Sequence, residues 1–320
     1  MRSGAQRSGS APESTTCVAL DTDRAVLVQS TWVNDRPVVM ACRTEPMPSG
    51  LDEAVLQRLV AGLAWNTTRW VLMLPQKSYR TQLTELPHVP PHELRQALVW
   101  RLPDLFADHN DAVVPTDSNF SFDCLVLPAV QTGGAGAPGL VFGLPHATLA
   151  PLQLVFHEAR LPLSVVTVPE LAQRDLSARL EPDARGQAVL SFGAHGGLLT
   201  VTQAGQLYMS RHLDTTLAQL TQADAYTQGM LLERVALEVQ RSLDVFDRQY
   251  HSLGLSRLLL APMADAAEAV RVLSQNLFLP VEVFHLGHAM DVPPDHMDDP
   301  GLWLAFGGSL RRQAEPEADR

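Results

Sequence analysis

From Cys17 onward, apolar runs alternate with short polar breaks. CVALD, AVLVQSTWV and RPVVMACR are separated by TDR and ND, which predicts three strands in an antiparallel meander. In LDEAVLQRLVAGLAW, Leu51, Val55, Leu59 and Leu63 recur every four positions and predict one helix face. WVLMLP (70–75) is a continuous apolar strand, and YRTQLTELP (79–87) a more polar one. VPPHELRQALVWRLPDLF opens on prolines and carries Glu93 in its first turn, which suits a helix start; Pro103 is expected to end that helix. SFDCLVLP and LVFGLP are further strands, with QTGGAGAPG as a hairpin loop between them, open to a docking role or to none. A helix (HATLAPLQLVFHEARL), a strand (LSVVTVP) and a second helix (ELAQRDLSARL) follow, and EPDARG reads as a linker.

After the linker the opening pattern returns. QAVLSF, LLTVTQ and QLYMSRHL are three strands joined by GAHGG and AG. Asp21 and Ser191 take corresponding places, 170 positions apart. A repeat of this size predicts two related domains facing one cleft. A long helix from about Met230 to Tyr250 has Leu231, Val235, Val239, Leu243, Phe246 and Tyr250 as its apolar stripe. RLLLAP, ADAAEAVRVLSQN, LPVEVFHL and GLWLAFGGSLR then predict strand, helix, strand and helix.

Composition narrows the function classes. The 320 residues carry 24 basic and 35 acidic side chains, a net charge of −11, which argues against nucleic-acid binding. No apolar run is long enough for a transmembrane helix, and the N-terminal residues lack the apolar core of a secretory signal. Cys17, Cys42 and Cys124 form no C-x-x-C pair, so a reducing compartment and core packing are expected of them. Lys77 is the single lysine, with no glycine-rich loop before it, which excludes a P-loop NTPase and the usual protein-kinase lysine.

The candidate chemistry is sparse. His88 and His92 have zinc-like spacing, but Val89-Pro90-Pro91 keeps them off one helical turn, and H-E-x-x-H is absent. His285, His288 and the acidic stretch 291–299 read as a solvated, proline-broken loop before a cation site. Asp21 suits a metal–nucleotide complex or the cap of its own hairpin. Glu238 and Arg241 share a helix face and suit either a cleft contact or an intrahelical ion pair.

In order, the segments resemble the PilM-type actin-like proteins of type IV pilus assembly, and more closely their MSHA-pilus (MshI-like) relatives. The resemblance rests on Leu20-Asp21-Thr22-Asp23, Leu86-Pro87 with Pro91-His92-Glu93-Leu94, and Leu190-Ser191-Phe192-Gly193-Ala194. It continues at Tyr208-Met209-Ser210-Arg211 and Glu238-Val239-Gln240-Arg241-Ser242-Leu243-Asp244-Val245-Phe246, and ends at Ala305 to Arg311. It implies an α/β fold of two duplicated actin-like (ribonuclease-H-like) domains. The first would span 17–180, with a small inserted subdomain at 75–145. The second, reduced, would span 187–311, with tails at 1–16 and 312–320.

The family's nucleotide turns need glycines whose amides approach phosphate. Here the first turn has none and adds Asp23, the second has Ser191 in place of aspartate, and the adenosine-side strand ends Leu260-Ala261-Pro262-Met263. The resemblance therefore implies a vestigial nucleotide set, Asp21, Gly193, Glu238 and Arg241. No catalytic or metal residue and no cofactor are expected, with Mg-ATP as the residual possibility. It further implies a non-enzymatic cytoplasmic scaffold at the inner face of the inner membrane. Its partners would be the cytoplasmic tail of a single-span assembly protein (PilN/MshJ-like) and the assembly motor ATPase. The rivals are an actin-like ATPase, a sugar kinase on the same fold and a type II secretion-related cytoplasmic module.

Overall fold

The computed structural model describes residues 14–63, 67–107, 114–128, 136–182, 185–251 and 253–311. The chain opens with β1 (Ser14–Leu20), β2 (Arg24–Val33) and β3 (Arg36–Pro46), paired antiparallel. β1 starts three residues before the expected domain start, and Ser14, Thr15 and Thr16 are buried, so they belong to the sheet and not to a tail. The β2–β3 turn places Asn34 and Asp35 at φ 49° and 62°, the left-handed pair that a two-residue hairpin requires. α1 (Glu53–Val60) is capped by Asp52, whose carboxylate accepts from the Val55 amide at 2.7 Å. β4 (Thr67–Met73) then returns parallel to β1.

The inserted unit has β5 (Arg80–Pro87), α2 (Pro91–Val99), α3 (Leu102–Phe106), β6 (Phe120–Val126) and β7 (Gly136–Pro145). Its sheet runs β5-β7-β6 and is covered by Leu94, Leu98, Leu102 and Phe106. Contrary to the sequence expectation, Pro103 does not end α2; the chain breaks at Trp100–Arg101 and Pro103 sits in the first turn of α3, where its missing N–H costs nothing. The expected glycine loop is shorter than drawn: Gly136 to Gly139 are β7 residues paired with β5, while residues 129–135 lie outside the described residues. At Gly136 and Gly139 a Cβ would strike the Leu86 carbonyl and side chain, so close strand approach explains both. α4 (His146–Glu158) and β8 (Leu163–Thr167) complete a first sheet ordered β3-β2-β1-β4-β8.

α5 (Pro169–Ser177) leads to the second lobe. β9 (Gly186–Gly193), β10 (Gly196–Gln203) and β11 (Gln206–Leu213) repeat the meander, with Ala204 and Gly205 at φ 50° and 70° in the matching turn. α6 (Leu217–Gln222) and α7 (Ala225–Gln249) precede β12 (Leu255–Leu260), α8 (Ala266–Asn276) and β13 (Val281–Val283). α9 (Leu286–Ala289) and α10 (Trp303–Ser309) end the described chain. The second sheet runs β11-β10-β9-β12-β13, the order of the first. On α7, Leu232, Val235, Ala236, Val239 and Phe246 are buried against the sheet, and Leu243 packs there half-buried.

The domain boundary drawn along the sequence does not divide the packing. α5 follows the first sheet but lies on β9, β10 and β11, while α10 follows the second sheet but lies on β1, β2 and β4. The two helices meet at Gly307, where a Cβ would stand 2.2 Å from the Ala172 carbonyl oxygen. Around them Val28, Val39, Val189, Leu259, Trp303 and Phe306 form one core shared by both lobes. The inserted unit also touches the second lobe, with Leu127 and Leu140 against Leu207.

Candidate functional site

A cleft of about 310 Å³ opens between the lobes, bounded by the β1–β2 and β9–β10 hairpins. Pro75 and Gln76 line it from the edge of the insertion, Leu217 and Thr221 from α6, and Gly301 and Trp303 from the start of α10. Its floor is largely apolar: Ala19, Val26, Met73, Phe192 and Leu304.

Asp21 lines this cleft. Its carboxylate accepts from the Thr22 amide at 2.8 Å and pairs with Arg24 Nε at 3.3 Å, while its own amide donates to the Arg24 carbonyl at 2.9 Å. Asp21 thus closes its own turn, and the amides of Asp21 and Thr22 point to partners within it. The Arg24 guanidinium lies over Gly301, where a Cβ would meet it at 2.8 Å.

Gly193 is brought to the same cleft, at the end of β9 where it pairs with Gly196. A Cβ on Gly193 would find only the Gly196 carbonyl, at 3.9 Å, so no packing demand explains this glycine. Gly196 differs: at φ 139°, a Cβ there would strike the Leu213 carbonyl at 2.3 Å. Its glycine answers to strand packing. Ser191, also in the wall, donates its hydroxyl to Gln173 Oε1 at 2.5 Å.

Glu238 and Arg241 do not belong to this site. Neither lines the cleft. Glu238 pairs with Arg234 at 3.0 Å, one turn back, and not with Arg241. Arg241 is exposed, about 160° around the helix from the buried Val239. The helix buries Val235, Val239 and Phe246 against its own sheet, which turns this pair away from the lobe interface. Among the described residues no cluster of His, Cys, Asp or Glu suits a metal ion.

The polar groups that do knit the cleft's back wall come from α5. Gln173, fully buried, donates through Nε2 to the Val189 and Leu198 carbonyls at 3.0 and 3.1 Å and to Thr200 Oγ1 at 3.0 Å. Its Oε1 accepts from Ser191 and from Trp303 Nε1 at 3.3 Å. Three residues earlier, buried Glu170 accepts from the Tyr79 hydroxyl at 2.6 Å and bonds His212 Nε2 at 2.8 Å. Burial, then the adjoining Glu170, push the Tyr79 phenol well up. One turn later, Ser177 bonds Thr202 Oγ1 at 2.5 Å. The spacing 170, 173, 177 marks one helix face, and that signal was available in the sequence.

The sequence matches no protein-family model and no curated protein. A chain in a structure described as a PilM–PilN type IV pilus biogenesis complex superimposes with a TM-score of 0.69 at 18% identity, over 92% of this chain and 97% of that one. A Bacteroides thetaiotaomicron protein of actin-like ATPase fold and unknown function matches at 0.48 and 13% identity, over 88% and 93%. The cytoplasmic domain of EpsL, an inner-membrane component of the type II secretion system of Vibrio cholerae, matches at 0.39 and 16%, over 70% and 75%. The chain shares the two-lobed fold of the matching chain in the PilM–PilN structure. Among the described residues no helix is long and apolar enough to cross a membrane.

Proposed function

We propose that this chain is a cytoplasmic scaffold of a type IV or MSHA-type pilus assembly platform, held at the inner face of the inner membrane by its partner. The partner is the cytoplasmic tail of a single-span protein of the PilN/MshJ kind, and the assembly motor ATPase is a second contact. The observation that carries the reading is the match over 92% of the chain to a PilM–PilN structure.

The cleft is read as a degenerate nucleotide site. A triphosphate needs inward-facing amides and room for a metal between its oxygens. The first turn instead spends its amides internally and places at the cleft an Asp21 carboxylate already bonded to the Thr22 amide and Arg24. Ser191 is engaged with Gln173, and Glu238 and Arg241 lie outside the cleft. These residues do not fit a nucleotide, so no catalytic step is assigned.

Two titrations test the two halves separately. With Mg-ATP up to millimolar concentration, the melting temperature is expected not to move; a ligand at about 100 times its Kd adds roughly 2.7 kcal/mol. A saturable rise refutes the degenerate cleft. A fluorescent peptide from the cytoplasmic end of a PilN-type single-span protein of the same organism is expected to bind saturably by anisotropy. No binding to folded protein refutes the scaffold reading.

A further inference from the structure

The inserted unit rests on the second lobe through a small apolar patch. Leu127 and Leu140 pack there on Leu207 of β11, apart from the cores of both lobes. A polar chain crosses the same joint. Tyr79 stands at the entry to β5, His212 lies on β11, and between them is the fully buried carboxylate of Glu170 in the first turn of α5.

Among the described residues each Glu170 oxygen has one partner, and the two partners come from different units. Oε2 accepts from the Tyr79 hydroxyl at 2.6 Å, and Oε1 bonds His212 Nε2 at 2.8 Å. The Tyr79 ring packs on Phe142 of β7, with 6.2 Å between centroids, so it is tied to the insertion. A carboxylate removed from water is costly unless its oxygens are bonded. Glu170 meets that condition only while the insertion and the second lobe are both seated on α5. Once the insertion lifts, water can take the place of the tyrosine.

A neighbouring group also gains from opening. The Ser210 hydroxyl is buried without a hydrogen-bond partner among the described residues. Ser210 lies two positions before His212 on the same side of β11, opposite Thr200, which faces α5 through its bond to Gln173. A buried hydroxyl left unpaired disfavours the closed arrangement. The leucines hold the joint shut, while the hydroxyl and the desolvated carboxylate work against them. Opposed terms of this kind leave two states close in free energy. The joint lies at the rim of the cleft: Pro169, next to Glu170, and Gln76, three positions before Tyr79, both line it.

We propose that the Tyr79–Glu170–His212 chain is a latch: the inserted unit swings off the second lobe with neither unfolding, and Glu170 sets how often it does. The arrangement seen is the closed one. The latch joins two parts of one chain and requires nothing of the pilus reading.

Leu207 is 2% exposed with the joint closed and is uncovered when it opens. In a Leu207→Cys chain, labelling by N-ethylmaleimide is read peptide by peptide by mass spectrometry, which keeps the new thiol apart from Cys17, Cys42 and Cys124. Leu190→Cys, at zero exposure in the core of the second lobe, reports unfolding. The thiol at position 207 is expected to react in the native chain, at least about tenfold more slowly than free cysteine, while that at 190 does not react. Tyr79→Phe and His212→Ala each remove one partner of the buried carboxylate and should raise the rate at 207 at least about tenfold. His212→Gln keeps an N–H donor there and should hold the rate within about threefold of its starting value. Position 190 should stay unreactive in every variant. Labelling at 207 that appears only together with labelling at 190 overturns the proposal. So does a rate at 207 equal to that of free cysteine before any latch residue is changed, or one indifferent to Tyr79→Phe and His212→Ala.

Discussion

Replacing Gln173 by leucine tests whether a single amide joins the lobes. Gln173 sits on α5 at zero exposure; its two amide hydrogens are shared among three acceptors, and its carbonyl oxygen accepts from two donors. Leucine is of similar size, so the cavity term is small. The Ser191 hydroxyl and Trp303 indole N–H, 5% and 2% exposed at the cleft wall, then lose their shared acceptor. Each orphaned buried group costs about 1–3 kcal/mol, so the loss is about 4 kcal/mol. Unfolding entropy near 2.1 cal/mol/K per residue over roughly 300 residues gives ~0.6 kcal/mol/K, and a fall in Tm of about 6 °C. Differential scanning calorimetry reads this directly. Gln173→Glu, which keeps the shape but replaces the donor by a carboxylate facing two carbonyls, is expected to fall at least as far. A loss under about 1 °C in both variants would refute the reasoning and leave apolar packing alone as the cement.

Three further outcomes follow from the same geometry. Gly307→Ala should lower stability by about 1–3 kcal/mol in a denaturant titration, because the new methyl meets the Ala172 carbonyl and drives α10 off α5. Asp21→Ala should cost at most about 1 kcal/mol, since it removes one partly exposed pair with Arg24 and a turn cap; a loss of piliation with folded protein would count against the scaffold reading. Burial, with the nearby carboxylates of Asp299 and Asp123 second, pushes the Cys42 thiol up to about 12 and Cys124 up to about 11. Thiolate is scarce at pH 8 in both, so Ellman's reagent should react with the native chain at least about tenfold more slowly than with free cysteine. Cys17, fully buried with its thiol pushed up further, should react only after unfolding.

Local order was written locally. The turn residues Asn34-Asp35 and Ala204-Gly205 lie between apolar runs, and their left-handed backbone fixes two hairpins wherever the lobes sit. Val235, Val239 and Phe246 recur at helical spacing and do face a sheet. The repeated meander therefore yielded two like sheets and the cleft between them, with Asp21 and Gly193 on its walls. Periodicity tells which face of an element is buried, but not against what. Glu238 and Arg241 satisfied the spacing of an ion pair, yet Arg234 stood one turn nearer the N-terminus and took Glu238. The exchange of α5 and α10 between lobes depends on Gly307 meeting Ala172, 135 positions earlier, a contact no local pattern announces. The same holds for Gln173: an amide in a polar stretch of sequence becomes the junction of three strand residues, a serine and a tryptophan only when two sheets close over it. Short-range sterics and periodicity settled the elements; burial between distant segments settled which polar groups hold them together.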